Sequence, residues 1–223
     1  MKNFVVAIDG PAGSGKSTVA CLVAKRLSFM YVDTGAMYRA LTLKALKEGI
    51  SFSDGEALTR MAESSRIEFR QEGAKNRVFL DGQDVSAAIR TEEVSKATRY
   101  IASLLSIREI LWGFQRAYRE KHDIVMEGRD IGSKVFPDAQ VKIFLDASVQ
   151  ERAKRRYRQL KDMGIEEDIK KIEEDIKIRD RNDADREISP LKKLPDACVI
   201  DTTNITIQQV VDKIIALSKK STN

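Results

Sequence analysis

Residues 10 to 17, GPAGSGKS, follow the apolar run FVVAID (4 to 9) and precede Val19, Leu22, Val23 and Leu27, which recur at helical spacing. Strand, glycine-rich loop and helix in that order leave a chain few folds, and the string fits G-x-x-x-x-G-K-[ST]. Glycines let the backbone turn successive N–H groups inward, and a helix opening near Gly15 adds its positive end, so the loop can cradle phosphates. Lys16 can then reach the β- and γ-phosphates of a nucleoside triphosphate, and the Ser17 hydroxyl can ligate Mg²⁺. Gly10, Pro11, Ala12, Gly13, Ser14, Gly15, Lys16, Ser17 and Thr18 are therefore the candidate ATP-binding residues, with Lys16 catalytic and Ser17 the metal ligand.

The remaining chain supports an α/β reading. FMYVD (29 to 33), DIVMEG (123 to 128), VKIFLD (141 to 146) and ACVID (197 to 201) read as further buried strands, separated by longer amphipathic stretches. Ser106 to Glu109, Ser148 to Glu151 and Thr206 to Gln209 have capping-box spacing, and Ile207, Val210, Val211, Ile214 and Ile215 share one face of a last helix. Alternation of this kind predicts a parallel sheet covered on both sides. Residues 63 to about 90 break the rhythm: RIEFR and RVFLDGQDV alternate, and Asp81-Gly82 predicts a tight hairpin, so this stretch reads as a small antiparallel insertion. Each of the five strands carries an acid at or close to its carboxyl end: Asp9, Asp33, Glu127, Asp146 and Asp201. That edge is where such sheets bind ligands, and five acids would repel an anion unless magnesium, arginines or both intervene. Asp146 and Asp201 read as caps of the helices that follow.

Composition excludes other classes. A chain of 223 residues suits one α/β domain with a small inserted lobe, and 42% hydrophobic residues suffice for a core. A net charge of +5 from 39 basic and 34 acidic residues fits a small anionic ligand better than nucleic acid. No apolar run approaches the roughly 20 residues that span a bilayer, and MKNFVVAIDG reaches a charge and a glycine too early for a signal peptide. Cys21 and Cys198 sit in apolar patterns that read as core, so a reduced, cytoplasmic protein without a disulfide or zinc framework is expected, and a monomer with it. His122, the only histidine, reads as a turn residue, so any chemistry here works without a histidine base.

Neither a D-x-x-G after a strand nor an N/T-K-x-D string is present, which argues against a GTPase switch, and the Asp-Glu pair of motor ATPases is missing too. A small P-loop chain with late arginines fits a kinase of a small phosphorylated substrate, whose lid must close to exclude water. SVQERAKRRYRQLKDMG is the lid candidate: Ala153, Tyr157 and Leu160 make an apolar seam flanked by Arg152, Arg155 and Arg156, which are taken as ATP-binding. Further on, IRDRNDADR (178 to 186) is either a solvated charged face or a set of side chains for a highly charged ligand.

IDGPAGSGKST, DTGAMYRALTLKAL, DGQDVSAAIRTEEVS, MEGRDIGSKVFPDAQVKIFLDAS and IKIRDRNDADREISPL together resemble the bacterial cytidylate kinases, nearly end to end and including the insertion at 63 to 90. The resemblance implies a single P-loop kinase domain with a five-stranded parallel sheet in the order 2-3-1-4-5. Its core would span 1–62, 91–147 and 187–223, with a monophosphate-binding insertion at about 63–90 and a helical arginine lid at about 148–186. It implies transfer of the ATP γ-phosphoryl group to CMP or dCMP, with Mg²⁺ as cofactor. It places Arg39, Arg129 and Arg186 on the acceptor phosphate, the last two also catalytic, Arg108 and Asp130 on the cytosine, and Arg179 and Asp183 on the sugar. Asp33 joins the CMP-binding set. A carboxylate that accepts from the cytosine N4 amino group would face an acceptor in uracil, which leaves polar groups mismatched. Arg179, Asp183 and Arg186 would share a helical face, whereas Asp180, Arg181 and Asp185 stay solvated. The chain departs from the family at Ser133, where a threonine is common, and at Arg99, where relatives can carry a serine near the base. No role follows for Arg99, and Ser95, Thr98 and Ser103 are candidate substitutes.

Overall fold

The computed structural model describes residues 2–72, 75–162 and 164–221. In chain order its elements are β1 (Val5–Asp9), α1 (Lys16–Leu27), β2 (Met30–Asp33), α2 (Thr34–Lys47), α3 (Gly55–Glu63), β3 (Ile67–Glu72), β4 (Lys75–Leu80), β5 (Gln83–Asp84), α4 (Glu92–Ser103), α5 (Leu105–Lys121), β6 (Ile124–Gly128), β7 (Val141–Asp146), α6 (Val149–Asp162), α7 (Ile169–Ala184), β8 (Cys198–Asp201) and α8 (Ile207–Lys220). The chain divides into two compact units, Met1–Tyr31 with His122–Asn223 and Val32–Lys121, and passes from one to the other within β2.

Five strands form one sheet in the order β2-β6-β1-β7-β8, which is 2-3-1-4-5 when these five are numbered by themselves. β1 lies in the middle, parallel to β6 and β7, with Val6 level with Val125 on one side and Val141 on the other. Buried on both faces, it has no use for alternation and reads VVAID. Val19, Ala20 and Val23 of α1, and Val210, Val211 and Ile214 of α8, complete the core around Val6, Ile8, Ile143 and Leu145. Leu22 and Ile207, though in register with those helical stripes, are 38% and 50% exposed.

β8 corrects an expectation. It lies at the sheet's edge, and only Ile200 is buried, while Cys198 and Val199 face water. Cys21 is only half-buried, so neither cysteine is a core residue. An apolar strand reads the same whether its outer neighbour exists or not, which is why the pattern misled.

In the second unit β3, β4 and β5 form a separate antiparallel sheet. Leu80 pairs with Gln83 across Asp81-Gly82, whose φ values of 50° and 83° are both left-handed, as a two-residue type I′ turn requires. The Asp81 carboxylate then accepts from the Arg66 amide at 2.8 Å and from the Lys44 ammonium at 2.6 Å.

Of the three capping boxes, only that of α8 is complete: Thr206 and Gln209 bond each other's backbone reciprocally. At α6 the Glu151 amide donates to the Ser148 hydroxyl at 3.2 Å, but the Glu151 carboxylate turns to Arg155 instead. Ser106 already lies inside α5, and its hydroxyl pairs with that of Thr59 at 2.7 Å. The lid sequence forms α6 and α7, joined by Ala153, Leu160, Ile172 and Ile176 with Val149, Ile165 and Ile169 around them. Tyr157 lies outside that cluster, 37% exposed, so the seam is narrower than its spacing suggests.

Candidate active site

The phosphate loop joins β1 to α1. A Cβ on Gly10 would sit 2.0 Å from the Leu145 carbonyl oxygen of β7, so the backbone approaches the neighbouring strand too closely for any other residue. Lys16 begins α1 with its side chain folded inward, and its ammonium donates to the Pro11 carbonyl at 2.7 Å. Burial lowers its pKa to about 7, helped by repulsion from Arg129 and then Arg179, against the pull of Glu127 and Asp9. The Ser14 hydroxyl is buried in the loop without a hydrogen-bond partner. Such an orphan suits a loop whose working partner is a polyanion. Ser17 and Thr18 stand exposed in the first turn of α1.

The strand-end acids have separate duties. Asp9 accepts from the amides of Ile131 (2.9 Å) and Gly132 (2.8 Å). Burial raises its pKa to about 6 in spite of those two bonds. Glu127 accepts from the Tyr31 hydroxyl at 2.8 Å. Asp146 accepts from the Ala147 amide at 2.9 Å and pairs with Lys193 at 2.8 Å, and Asp201 accepts from the Thr203 amide at 2.8 Å. Both serve the turns after their strands and neither caps a helix as expected, because the strand ends before the helix begins and Ser148 and Thr206 take the cap positions. In the second unit Asp33 caps α2 by accepting from the Ala36 amide and pairs with Arg39, each at 2.9 Å.

Arg129 follows β6, and its Nε donates to Asp183 of α7 at 2.9 Å. Burial opposes the Asp183 charge, but Arg129, Arg179 and Arg186 together hold its carboxyl below the usual range. Two of the arginines expected on the acceptor phosphate, Arg129 and Arg186, and the one expected on the sugar, Arg179, therefore act on one carboxylate. Asp183 lies in the last turn of α7, which ends at Ala184, so Arg186 falls beyond the helix, where its guanidinium donates to the Ser189 carbonyl at 2.8 Å. Asp130 is buried at the start of a wide helical turn over Ile131–Val135.

The lid arginines differ. Arg152 is 3% exposed: it donates to the Ala147 carbonyl (2.9 Å), to the Ala12 carbonyl of the phosphate loop (3.2 Å) and, with both terminal nitrogens, to Asp180 of α7 (2.9 and 2.5 Å). Asp180 is thus not the solvated acid its place on the helix suggests. Arg155 donates to the Thr202 carbonyl (2.7 Å) and hydroxyl (3.0 Å), and the Thr202 hydroxyl donates to the Ser14 carbonyl (3.1 Å). Thr202 ties the lid to the phosphate loop and is marked by no motif, while Asp180 joins the two lid helices and lies within IKIRDRNDADREISPL without an assigned role. Arg156 donates to Gln159 at 3.1 Å on its own helix.

Arg108 of α5 is the largest fully buried side chain in its unit. Its guanidinium donates to the Ala102 carbonyl at 3.0 Å and lies 5.5 Å from the Tyr38 ring and 5.7 Å from the Trp112 ring. Trp112, expected to be core, is also the flank of a buried cation. Arg99 is exposed, donating to the Tyr100 hydroxyl at 2.8 Å and lying 4.8 Å from its ring. The Ser95 hydroxyl donates to the carbonyl of Thr91, the cap of α4, at 2.8 Å, and those of Thr98 and Ser103 donate to carbonyls within α4 at 2.6 and 2.8 Å.

A family model described as cytidylate kinase matches residues 6–220. The chain belongs to the cytidylate kinase family. A cytidylate kinase of Lactobacillus gasseri is 51% identical over 98% of this chain and 96% of its own. One of Lactobacillus johnsonii is 50% identical over 96% of this chain and 94% of its own. The fold is shared with an uncharacterized protein of Eubacterium ventriosum, whose crystal structure aligns over 97% of this chain and 99% of that one with a TM-score of 0.53 at 14% identity. The order of the five strands expected from the resemblance agrees with the sheet observed. Among the described residues no helix is long and apolar enough to cross a membrane.

Proposed function

We propose that this protein transfers the γ-phosphoryl group of ATP to CMP or dCMP, giving ADP and CDP or dCDP. The observation that carries the reading is the family match over residues 6–220. The inward Lys16 of the phosphate loop and the arginines gathered around Asp183 support it.

In this reading Lys16 neutralises charge on the transferring phosphoryl group, and Gly10 to Thr18 supply amides and hydroxyls to the ATP phosphates. Among the described residues no three acids, histidines or cysteines are grouped to hold a metal by themselves. That fits Mg²⁺ held through the Ser17 hydroxyl and the phosphates, where it would offset negative charge on the triphosphate. The acceptor oxygen of CMP is already anionic, so the protein needs no strong base. Its task is to keep two polyanions together, which several fixed cations achieve.

Arg39, Arg129 and Arg186 take the acceptor phosphate. Arg129 and Arg186 also stabilise the transferring charge. Arg108 and Asp130 read cytosine. Arg179, Asp183 and Asp33 complete CMP recognition, with Asp183 exchanging its bond to Arg129 for the sugar. Arg152, Arg155 and Arg156 serve ATP, and Arg152, held by Asp180 and the Ala12 carbonyl, also anchors the lid beside the phosphate loop. We further propose a monomeric, cytoplasmic enzyme of pyrimidine nucleotide metabolism.

ADP formation with Mg-ATP tests this against CMP, dCMP, UMP, AMP, GMP, shikimate and dephospho-CoA. Turnover led by CMP or dCMP supports the assignment. Turnover led by another acceptor keeps the phosphate-loop chemistry and removes the roles of Arg108 and Asp130. ADP formation independent of every acceptor overturns the kinase reading.

A further inference from the structure

The main-chain ladder between β1 and β6 ends where Asp9 is level with Gly128. Arg129 and Asp130 come next, outside the ladder, and a loop left there would be free to move the side chains it carries. Two residues later the chain is caught again. The Asp9 carboxylate takes the Ile131 amide on one oxygen at 2.9 Å and the Gly132 amide on the other at 2.8 Å. These amides open a helical turn and have no partner inside it, so a buried carboxylate is a strong acceptor for them. Packing limits Gly132 from other sides: a Cβ there would meet the Leu194 side chain at 3.3 Å and that of Lys142 at 3.4 Å. Arg129 and Asp130 are thus bracketed, by the ladder before them and the Asp9 clamp after them.

We infer that Asp9 is a positioning residue for acceptor recognition, holding the Arg129-Asp130 dipeptide at a fixed offset from the phosphate loop. The inference rests on the reading above, in which these two residues bind CMP. In that reading Asp9 contacts neither substrate itself. It is the last residue before Gly10, so one side chain sets the acceptor-reading backbone against the segment that binds the donor. Recognition of a base by a polar match depends on placement, and a shift of about 1 Å is enough to cost on the order of a hundredfold.

Asp9→Asn keeps the shape but presents an amino group to one of the two amides. We expect the ratio of kcat/KM for CMP over UMP to fall by about tenfold or more, with KM for ATP moving less than about threefold. Both substrates are measured on one preparation, so a loss of folded protein cancels from the ratio, which a merely structural role would leave unmoved. Should Asp9→Asn yield no soluble protein, Asp9→Ser, with one short acceptor, is read the same way. Asp130→Ala is the reference. A ratio that narrows in Asp130→Ala but stays at the wild-type value in the Asp9 variant overturns the positioning role alone. A ratio unchanged in both overturns the assignment of Asp130, and the role of Asp9 with it.

Discussion

Asp180 sits in a nonapeptide of alternating charge, and its substitution separates a solvated face from a structural joint. Its partner Arg152 has a side chain only 4% exposed, while that of Asp180 is 27% exposed. Asp180→Ala removes both bonds of the pair and leaves the guanidinium with the Ala147 and Ala12 carbonyls. Breaking a fully buried ion pair costs about 3–5 kcal/mol, and the partial exposure of Asp180 brings this to about 2 kcal/mol. For a chain of this size that lowers Tm by about 4–8 °C. Calorimetric melts at low salt and at about 0.5 M salt should give the same loss, because a buried pair is screened little. Arg152→Met with Asp180→Leu removes both charges and keeps apolar volume. The double variant should therefore be more stable than Asp180→Ala alone by about 1 kcal/mol or more. A loss under about 0.5 kcal/mol for Asp180→Ala, or one abolished by salt, would refute the joint and restore the solvated reading.

Lys16→Ala should lower kcat by about a hundredfold or more while CMP affinity, measured by calorimetric titration, changes little. A variant with near-normal turnover would remove Lys16 from the chemistry. Gly10→Ala should give little folded protein, judged by circular dichroism, because its Cβ would overlap a fixed carbonyl at 2.0 Å rather than a movable side chain. Asp9 carries a pH signature of its own. Its folded pKa of about 6 lies above the reference 3.8, so the folded state holds the proton more tightly and loses relative stability as pH rises from about 4 to about 6.5. The stability of wild type minus that of Asp9→Asn, from urea melts, should fall by up to about 3 kcal/mol over that window. A flat difference would mean that the carboxyl titrates normally.

Much of the site was legible because its chemistry is local. The phosphate loop declares itself in eight consecutive residues, and the hairpin at Asp81-Gly82 in two, since backbone handedness is a property of the residues themselves. The placement of Arg39, Arg108 and Asp130 comes from family likeness rather than spacing, helical spacing puts Asp180 in water where the fold pairs it with Arg152, and no motif marks Thr202. Nothing near Thr202 says that its hydroxyl meets the Ser14 carbonyl, 188 residues earlier in the chain.

By itself the sequence determined the alternation of strands and helices, the nucleotide loop and the antiparallel insertion. Each follows from a period, a turn or a residue type that acts over a few positions. Tertiary structure decided what those pieces meet. It left β8 at an edge with Cys198 and Val199 in water, and drew Arg129 to Asp183 and Arg152 to Asp180. It also set the Asp9 carboxylate under two amides 122 and 123 residues away. A hydrophobic or charged period tells which side chains share a face. Only the packed chain tells which partner that face finds, because the pairing energy arises after burial has removed water from both.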